Sequence, residues 1–179
     1  MKPNKDVKLN IISDSDDPRA AILSNLAETP FTIDQHTFPS VESALQGIKF
    51  SDPETQQAVF AMDSKSALKA GRKITLAIDE SKPSFVYWQG KEIEYNSAEH
   101  RMLIAMFIKE KIRQNPQVQE ALLATEGEFI YHDAGVEHPN TSLPEKLYIE
   151  ILLAERQILK KLREISNGKD DKIYIVLAK

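Results

Sequence analysis

Residues 38–50 carry two stripes of side chains at helical spacing. The first stripe is apolar and recurs at i, i+3, i+4 and i+7, which is the spacing of one helix face. Its members are Val41, Ala44, Leu45 and Ile48. Ser40 comes just before them and is a favourable N-cap residue. The pattern therefore predicts a helix that begins after Ser40 and buries one face.

The second stripe in the same segment is polar. Glu42, Gln46 and Lys49 recur at i, i+4 and i+7, beside the apolar face. An acid, an amide and an amine aligned at the margin of a core are suited to one wall of a polar pocket. The alternative is an ordinary solvated face, because most helical charges point to water.

Elsewhere the pattern predicts short strands and several amphipathic helices. Strands are predicted at residues 7–12, 31–33, 36–38, 85–88, 92–95, 129–131 and 173–177. Helices are predicted at residues 53–62, 64–71, 97–114 and 116–125, and from a Ser-x-x-Glu capping box at 142–145 to about residue 166. These elements predict a mainly helical α+β fold with short peripheral strands and hairpins, in one domain over residues 1–179.

Local signals predict several boundaries of these elements. Gly71 is expected to end the helix that begins after Asp63, and Asn115 is expected to cap the helix that follows it. Residues 13–19 are acidic but lack the glycine and the distal glutamate of a calcium loop. We therefore expect this segment to be a solvated loop.

Composition narrows the classes of function. The net charge of −4 provides no global basic field for non-specific binding to nucleic acid. The chain has no cysteine, which excludes disulfides, thiolate catalysis and cysteine-based metal sites. We find no signal-peptide core and no apolar run long enough to cross a bilayer, so a cytoplasmic location is expected.

Familiar catalytic and cofactor motifs are missing from the sequence. Its six glycines form no phosphate-binding loop, and its four histidines show no HExxH spacing. His132, Asp133, Glu137 and His138 share one segment, but we interpret them as polar loop residues. We expect neither a metal nor a cofactor.

The order of several segments resembles the NADAR superfamily, which includes the YbiA-like N-glycosidases. The matching segments are Leu23-Ser24-Asn25-Leu26, residues 30–34 and 38–50, Ala67–Arg72, Trp88, Asn115-Pro116, Leu122–Thr125 and Leu152–Arg156. Together they cover about residues 22–163. Two departures stand out: Ser43 replaces the usual histidine, and residues 132–140 replace the family's glycine-rich segment before the last helix.

The resemblance implies an enzyme that hydrolyses a ribosyl C1–N bond in a phosphorylated N-riboside. The substrate classes that it implies are ribosylamino-pyrimidine intermediates of riboflavin synthesis and ADP-ribosylated bases. Nucleic acid is a partner only if the ADP-ribosylated base belongs to DNA or RNA. Glu42 is the candidate carboxylate, since it could stabilise an oxocarbenium ion at C1 or activate a water molecule. Lys49 could bind phosphate and keep Glu42 ionised, or attack C1 as an amine and form a Schiff base.

Six further residues are candidates for substrate binding: Asn25, Gln46, Arg72, Trp88, Asp133 and Asn140. Arg72 could bind phosphate or cap the carbonyls of a helix end. Trp88 could stack on a base or pack in the core. Asn25 could bond a ribose hydroxyl or close a turn, whereas Asp133 and Asn140 lie where the family segment is replaced.

Two alternatives belong to other functional classes. The divergent segment at 132–140 could leave a pocket that binds ADP-ribose or a nucleotide without cleaving it. A purely structural interaction protein is a third reading, and it leaves the polar stripe of Glu42, Gln46 and Lys49 without a purpose. Turnover separates the enzyme from the binding module.

Overall fold

The computed structural model describes residues 8–79, 81–135, 137 and 141–165. Its helices are α1 (Pro18–Leu23), α2 (Val41–Gly47), α3 (Pro53–Phe60), α4 (Ser64–Leu76), α5 (Ala98–Gln114), α6 (Pro116–Ala124) and α7 (Glu145–Ile165). Its strands are β1 (Lys8–Asn10), β2 (Phe31–Ile33), β3 (His36–Phe38), β4 (Phe85–Trp88), β5 (Lys91–Glu94) and β6 (Phe129–Tyr131). The predicted α+β, mainly helical fold is confirmed.

Helix α2 lies at the centre of the helical packing. It contacts α3, α4 and α5, while α5, α6 and α7 pack on one another and α1 packs on α6. The strands form three two-stranded sheets, of which β2–β3 and β4–β5 are antiparallel hairpins and β1–β6 is parallel. The long α5 thus packs against α2, which carries candidate site residues, and against the C-terminal helices α6 and α7.

The predicted apolar stripe of α2 faces the core. Val41, Ala44 and Ile48 are fully buried and Leu45 is nearly so. Beside them lies an aromatic cluster in which ring centroids are 4.9 to 6.3 Å apart, formed by Phe31, Phe38, Phe60, Trp88 and Phe107. Contacts of this kind stabilise a core beyond the area that they bury.

The N-caps were largely predictable from the sequence. The side chains of Ser40, Asp63 and Ser97 each accept a hydrogen bond from the backbone N–H three residues later. Asn115 is the N-cap residue of α6, as predicted, with Pro116 at the start of the helix, but its side chain makes no capping hydrogen bond. Its side-chain amide instead donates to the carbonyls of Pro30 and Lys111, at 3.0 and 2.8 Å, and so ties two distant segments together.

Two helix boundaries differ from the prediction. The segment expected to be wholly a loop at 13–19 contains the start of α1, which Asp17 caps by accepting from the N–H of Arg19. Helix α4 continues past Gly71 to Leu76, and Gly71 lies within the helix, closely packed on Gln46 of α2. The strand predicted at 173–177 lies outside the described residues.

Two segments that carry the family resemblance meet in the fold. Arg156 of α7 donates to both the carbonyl and the hydroxyl of Thr125, each at 2.8 Å, at the end of α6. The hydroxyl of Thr125 itself donates to the carbonyl of Leu122. None of the described helices is long and apolar enough to cross a membrane.

Candidate active site

A cavity of about 370 Å³ opens beside the polar stripe of α2. Its wall is built from α2, α4 and α7, the turn after α1, Tyr95, His132, Ala134 and residues 141–143. The polar side chains in the wall are Ser24, Asn25, Glu42, Gln46, Lys49, Arg72, Thr75, Tyr95, His132, Thr141, Ser142 and Tyr148. The fold thus brings together five of the eight residues singled out from the sequence.

The polar stripe forms a continuous chain of hydrogen bonds. The side-chain amide of Gln46 donates to Oε1 of Glu42 at 2.5 Å, and Nζ of Lys49 donates to Oε1 of Gln46 at 2.6 Å. Nζ of Lys49 also donates to Oγ1 of Thr75 at 2.5 Å. Gln46 is buried, so its amide holds the acid and the amine apart at fixed positions along the wall. The expectation that these residues form one wall of a polar pocket is confirmed.

Burial shifts the protonation equilibria of both charged members of this chain. Desolvation raises the pKa of Glu42 above its ordinary value, against the hydrogen bond from Gln46 and the charge of Lys49. Desolvation also lowers the pKa of Lys49 to about 8, against the charge of Glu42. The neutral amine is therefore more accessible near neutral pH than that of an ordinary lysine. A carboxyl and an amine with pKa values moved toward neutrality are suited to proton transfer.

Two buried side chains, Lys111 and Tyr148, fix the turn after α1 through hydrogen bonds to its carbonyls. The buried Nζ of Lys111 donates to the carbonyls of Ser24 and Leu23, at 2.6 and 3.2 Å. The hydroxyl of Tyr148 donates to the carbonyl of Leu23 at 2.7 Å. Burial lowers the pKa of Lys111 to about 7, whereas burial and the charge of Glu42 raise the pKa of Tyr148.

This anchored turn positions Asn25 against the stripe. The backbone N–H of Glu42 donates to the carbonyl of Asn25 at 3.0 Å. Oδ1 of Asn25 is buried and has no hydrogen-bond partner within the described part of the chain. A buried acceptor left unpaired is unfavourable, so a hydroxyl or amide of a ligand in the cavity would be a favourable partner for it.

Tyr95 lines another part of the wall, and His100 packs against it. The hydroxyl of Tyr95 is hydrogen-bonded with the side chain of Ser142, and burial raises its pKa. The ring of His100 packs on that of Tyr95 with centroids 5.1 Å apart. Nδ1 of His100 accepts from the N–H of Asn96 at 3.0 Å, and burial together with the charge of Lys49 lowers the pKa of His100 to about 4. His100 therefore adds no positive charge beside Lys49 at neutral pH.

Arg72 lies exposed at the rim of the cavity, on the next turn of α4 from Thr75. The alternative role proposed for it, capping the carbonyls of a helix end, does not apply because α4 continues to Leu76. In the residues that the structure describes, its guanidinium makes neither an ion pair nor a hydrogen bond. It remains available for an anionic group of a ligand.

Trp88 is not part of this wall, and the structure corrects its prediction as a base-stacking residue. Its side chain is 8% exposed and packs edge-to-face on Phe107 at 5.3 Å in the aromatic core. The reason is the alternation of β4. Val86 and Trp88 point to the core, whereas Phe85 and Tyr87 point to the opposite face of the hairpin.

Asp133 and Asn140 both belong to the segment that replaces the family's glycine-rich element. Asp133 is exposed and lies outside the cavity wall. Its Oδ1 accepts from the N–H of Gly135, and its N–H donates to Oδ1 of Asn10. Asn140 lies outside the described residues.

His132 does line the cavity, but it has a structural partner. Its Nδ1 donates to the carbonyl of Ile11 at 2.7 Å, and its ring packs perpendicular to that of Tyr148. The described residues contain no group of three or more histidine and carboxylate side chains that is suited to a metal ion. His138, which shares the segment, lies outside them.

The sequence did not single out Thr75, Tyr95, Ser142 or Tyr148 as site residues. Thr75 was hidden by the expectation that α4 ends at Gly71, since a helix that continues for one more turn places it beside Lys49. The other three come from segments 46 or more positions away from Lys49 along the chain. Only their tertiary packing brings them to the cavity.

Comparison with known proteins agrees with this architecture. The family model described as bacteriophage protein GP30.3 matches residues 18–157. An uncharacterised 17.1 kDa protein of enterobacteria phage T4, from the Gp30-rIII intergenic region, is 31% identical over 132 residues, which cover 73% of this chain and 85% of the relative.

A solved structure shows the same fold. The NMR structure of the E. coli protein YbiA superposes with a TM-score of 0.53 at 19% identity, over 95% of this chain and 92% of that one. The resemblance inferred from the ordered motifs is therefore confirmed at the level of the fold. The chain belongs to the bacteriophage GP30.3 family and has the fold of YbiA.

Proposed function

We propose that this protein is an N-glycosidase that hydrolyses the ribosyl C1–N bond of a phosphorylated N-riboside. The observation that carries the proposal is the hydrogen-bonded chain of Glu42, Gln46 and Lys49 in the wall of a cavity with Arg72 at its rim. The resemblance in sequence order and the shared fold with YbiA support the same class of reaction.

Glu42 is the group that we assign to the reacting centre. As C1–N cleavage proceeds, positive charge develops at C1 of the ribose, and a carboxylate stabilises that charge. The raised pKa of Glu42 makes it a stronger base than an ordinary carboxylate. It is therefore suited to take a proton from the water molecule whose oxygen adds to C1. The departing nitrogen takes up a proton from solvent, and Glu42 then returns its own proton to solvent.

Lys49 has two chemically distinct roles that its geometry allows. As a cation held by Gln46 and Thr75, it attracts a phosphate and favours the ionised form of Glu42. As the neutral amine, it adds to C1 of the opened ribose and the base leaves with a proton, which forms a Schiff base. Water then releases the ribose and restores the amine. A pKa of about 8 gives both forms of Lys49 a substantial population near neutral pH.

Two further groups are assigned to the substrate. Arg72 at the rim is suited to bind a phosphate through the N–H groups of its planar guanidinium. The unpaired Oδ1 of Asn25 is suited to a ribose hydroxyl. These assignments fit either proposed substrate class, the ribosylamino-pyrimidine phosphates or an ADP-ribosylated base, because both contain a phosphorylated ribose.

A chromatographic turnover assay tests the proposal. The panel comprises the ribosylamino-pyrimidine phosphates of riboflavin synthesis, ADP-ribose, NAD and ADP-ribosylated guanine in DNA. We expect the wild type to release a free base from one of them and Glu42→Gln to be at least about 100-fold slower. Glu54→Gln, on the exposed first turn of α3, is the matched control and should keep full activity. More than about a tenth of the rate in Glu42→Gln would contradict the role of Glu42.

A second candidate function is a module that binds ADP-ribose or a nucleotide without cleaving it. The observation that favours it is the replaced segment at 132–140, of which Asp133 lies outside the wall. Calorimetry with the same panel decides between the two. Binding without release of a base by the wild type would favour the module, whereas turnover would exclude it.

A further inference from the structure

A second cavity, of about 500 Å³, lies next to the first and shares two of its wall residues. Lys49 and Tyr95 line both cavities. The second cavity is otherwise lined by aromatic and aliphatic side chains, chiefly Phe85, Tyr87, Ile74 and Ile78, with Lys73 as its other cation. An apolar cleft with a few polar groups is the usual form of a small-molecule site.

The strand β4 fixes the position of the aromatic wall. Because β4 alternates, Phe85 and Tyr87 face away from the core that holds Val86 and Trp88. The N–H of Tyr87 donates to the carbonyl of Ile48 at 2.7 Å, which attaches the strand directly to the residue before Lys49.

Two more hydrogen bonds hold the same region. The side-chain amide of Gln56 donates to the carbonyl of Tyr87 at 2.8 Å, and the N–H of Tyr95 donates to the carbonyl of Ser84 at 2.7 Å. The aromatic wall is therefore fixed relative to the amine of Lys49 by backbone contacts. Replacing its side chains need not move the strand.

We propose that this second cavity binds the planar heteroaromatic base that leaves C1 of the substrate, and that Phe85 and Tyr87 stack on that base. The proposal rests on the proposed function, since it places the ribose in the first cavity and the base on the other side of Lys49. With this assignment, Phe85 and Tyr87 provide the stacking surface that was expected from Trp88, whose side chain packs in the core.

The charges around the second cavity define the kind of base. Lys49 and Lys73 present ammonium donors to it, and no carboxylate lines it among the described residues. A neutral ring with carbonyl oxygens or ring nitrogens at its edge accepts hydrogen bonds from such donors. A ring that carries positive charge, such as the pyridinium of NAD, is repelled by them. The cavity therefore favours an oxopurine or a pyrimidinone over a pyridinium.

Titrations followed by NMR test the inference without requiring catalysis. Hypoxanthine, an oxopurine without a sugar, is the probe for the second cavity, and ribose 5-phosphate is the probe for the first. We expect hypoxanthine to bind at millimolar concentration and to shift the signals of Phe85 and Tyr87. Phe85→Leu and Tyr87→Leu should each weaken that binding about fivefold or more, because they remove a stacking ring.

Matched controls distinguish the loss of a stacking ring from a loss of folding. Phe129→Leu removes a ring from β6 that is 59% exposed and lies in neither wall, so it should leave the affinity for hypoxanthine unchanged. The side chain of Phe85 is 37% exposed, so Phe85→Leu should fold even if Tyr87→Leu does not. In both variants the affinity for ribose 5-phosphate should stay at the wild-type value.

The outcomes distinguish this inference from the proposed function. Binding of ribose 5-phosphate without any shift of Phe85 or Tyr87 by hypoxanthine would overturn the base site and leave the glycosidase standing. Equal affinity of hypoxanthine for the wild type and both leucine variants would also overturn it. Binding of hypoxanthine that depends on these rings, in a protein that turns over no member of the substrate panel, would support the base site and contradict the glycosidase.

Discussion

Gly71 of α4 lies directly against the side chain of Gln46 in α2. A Cβ atom on residue 71 would lie 1.9 Å from Oε1 of Gln46 and 2.9 Å from its Cβ. That oxygen is the acceptor for Nζ of Lys49. The glycine therefore lets two helices approach closely enough for Gln46 to connect the acid and the amine of the site.

We predict that Gly71→Ala destabilises the protein and disrupts this connection. In an open helix the same change stabilises by about 0.5–1 kcal/mol, through helix propensity and a less flexible unfolded chain. Here the methyl group meets Gln46, and overpacking of this kind costs about 1–3 kcal/mol. Chemical denaturation should show a lower free energy of unfolding, and turnover should fall with it.

Lys69→Ala, on an exposed position of the same helix, is the control for this change. It should leave the free energy of unfolding within about 0.5 kcal/mol of the wild-type value. A more stable Gly71→Ala variant would show that the close contact with Gln46 has no energetic consequence.

The pH profile of turnover should reveal which form of Lys49 acts. If the cation is required, the rate falls as pH rises through about 8, the pKa of Lys49. If the neutral amine attacks C1, the rate rises through the same pH. Lys49→Arg keeps the charge but cannot form a Schiff base, so it retains activity only in the first case.

Chemical trapping provides an independent readout of the same choice. Borohydride reduces a Schiff base to a stable amine, so mass spectrometry of the treated protein would find the sugar on Lys49 only in the amine mechanism. Lys109→Arg, an exposed lysine of α5, is the matched control and should behave as the wild type. Activity of Lys49→Arg together with a trapped adduct on wild-type Lys49 would contradict both mechanisms as drawn.

Lys111 should make stability depend on pH in a defined direction. Its pKa is lowered to about 7 in the folded protein, from 10.5 in the unfolded chain, so the unfolded state binds more protons between those values. Stability from this group therefore rises with pH across that window, with a slope of up to about 1.4 kcal/mol per pH unit. Lys49 contributes in the same direction above pH 8.

The variant Lys111→Met isolates this contribution. Methionine keeps much of the volume but cannot titrate, so the rise in the free energy of unfolding between pH 7 and pH 9 should be smaller in the variant than in the wild type. Lys109→Met, with an exposed side chain on the same helix, should keep the wild-type slope. Identical slopes in Lys111→Met and the wild type would mean that Lys111 does not titrate in this range.

Trp88→Phe should affect stability rather than substrate choice. The smaller ring leaves space among Phe38, Phe60 and Phe107, and core truncations of this size cost about 1–3 kcal/mol. Thermal denaturation should show the loss, while the KM for the substrate that is turned over should stay unchanged. A change in KM without a loss of stability would place Trp88 at the substrate.

The polar stripe of α2 was predictable because its information is local. Helical spacing alone puts Glu42, Gln46 and Lys49 in one row, and Ser40 marks where the helix begins. The sequence also predicted the two hairpins and the long α5 and α7, because turn residues, the Ser97 cap of α5 and the apolar periodicity of both helices are local signals. The capping box predicted at residues 142–145 is not formed, since the N–H of Glu145 donates to Glu137 instead. The order of the family-like segments added Asn25 and Arg72 to the same site.

Only the tertiary structure decided which of these residues meet and what surrounds them. Thr75, Tyr95 and Tyr148 join Lys49 and Glu42 in the cavity wall through tertiary packing, which leaves no local spacing to detect. The side of a strand that faces the core also depends on packing, so Trp88 became a core residue while Phe85 and Tyr87 faced the second cavity. Gly71 shows the same limit: a glycine that ends a helix and one that admits a neighbouring side chain look alike in sequence, and only contact with Gln46 distinguishes them.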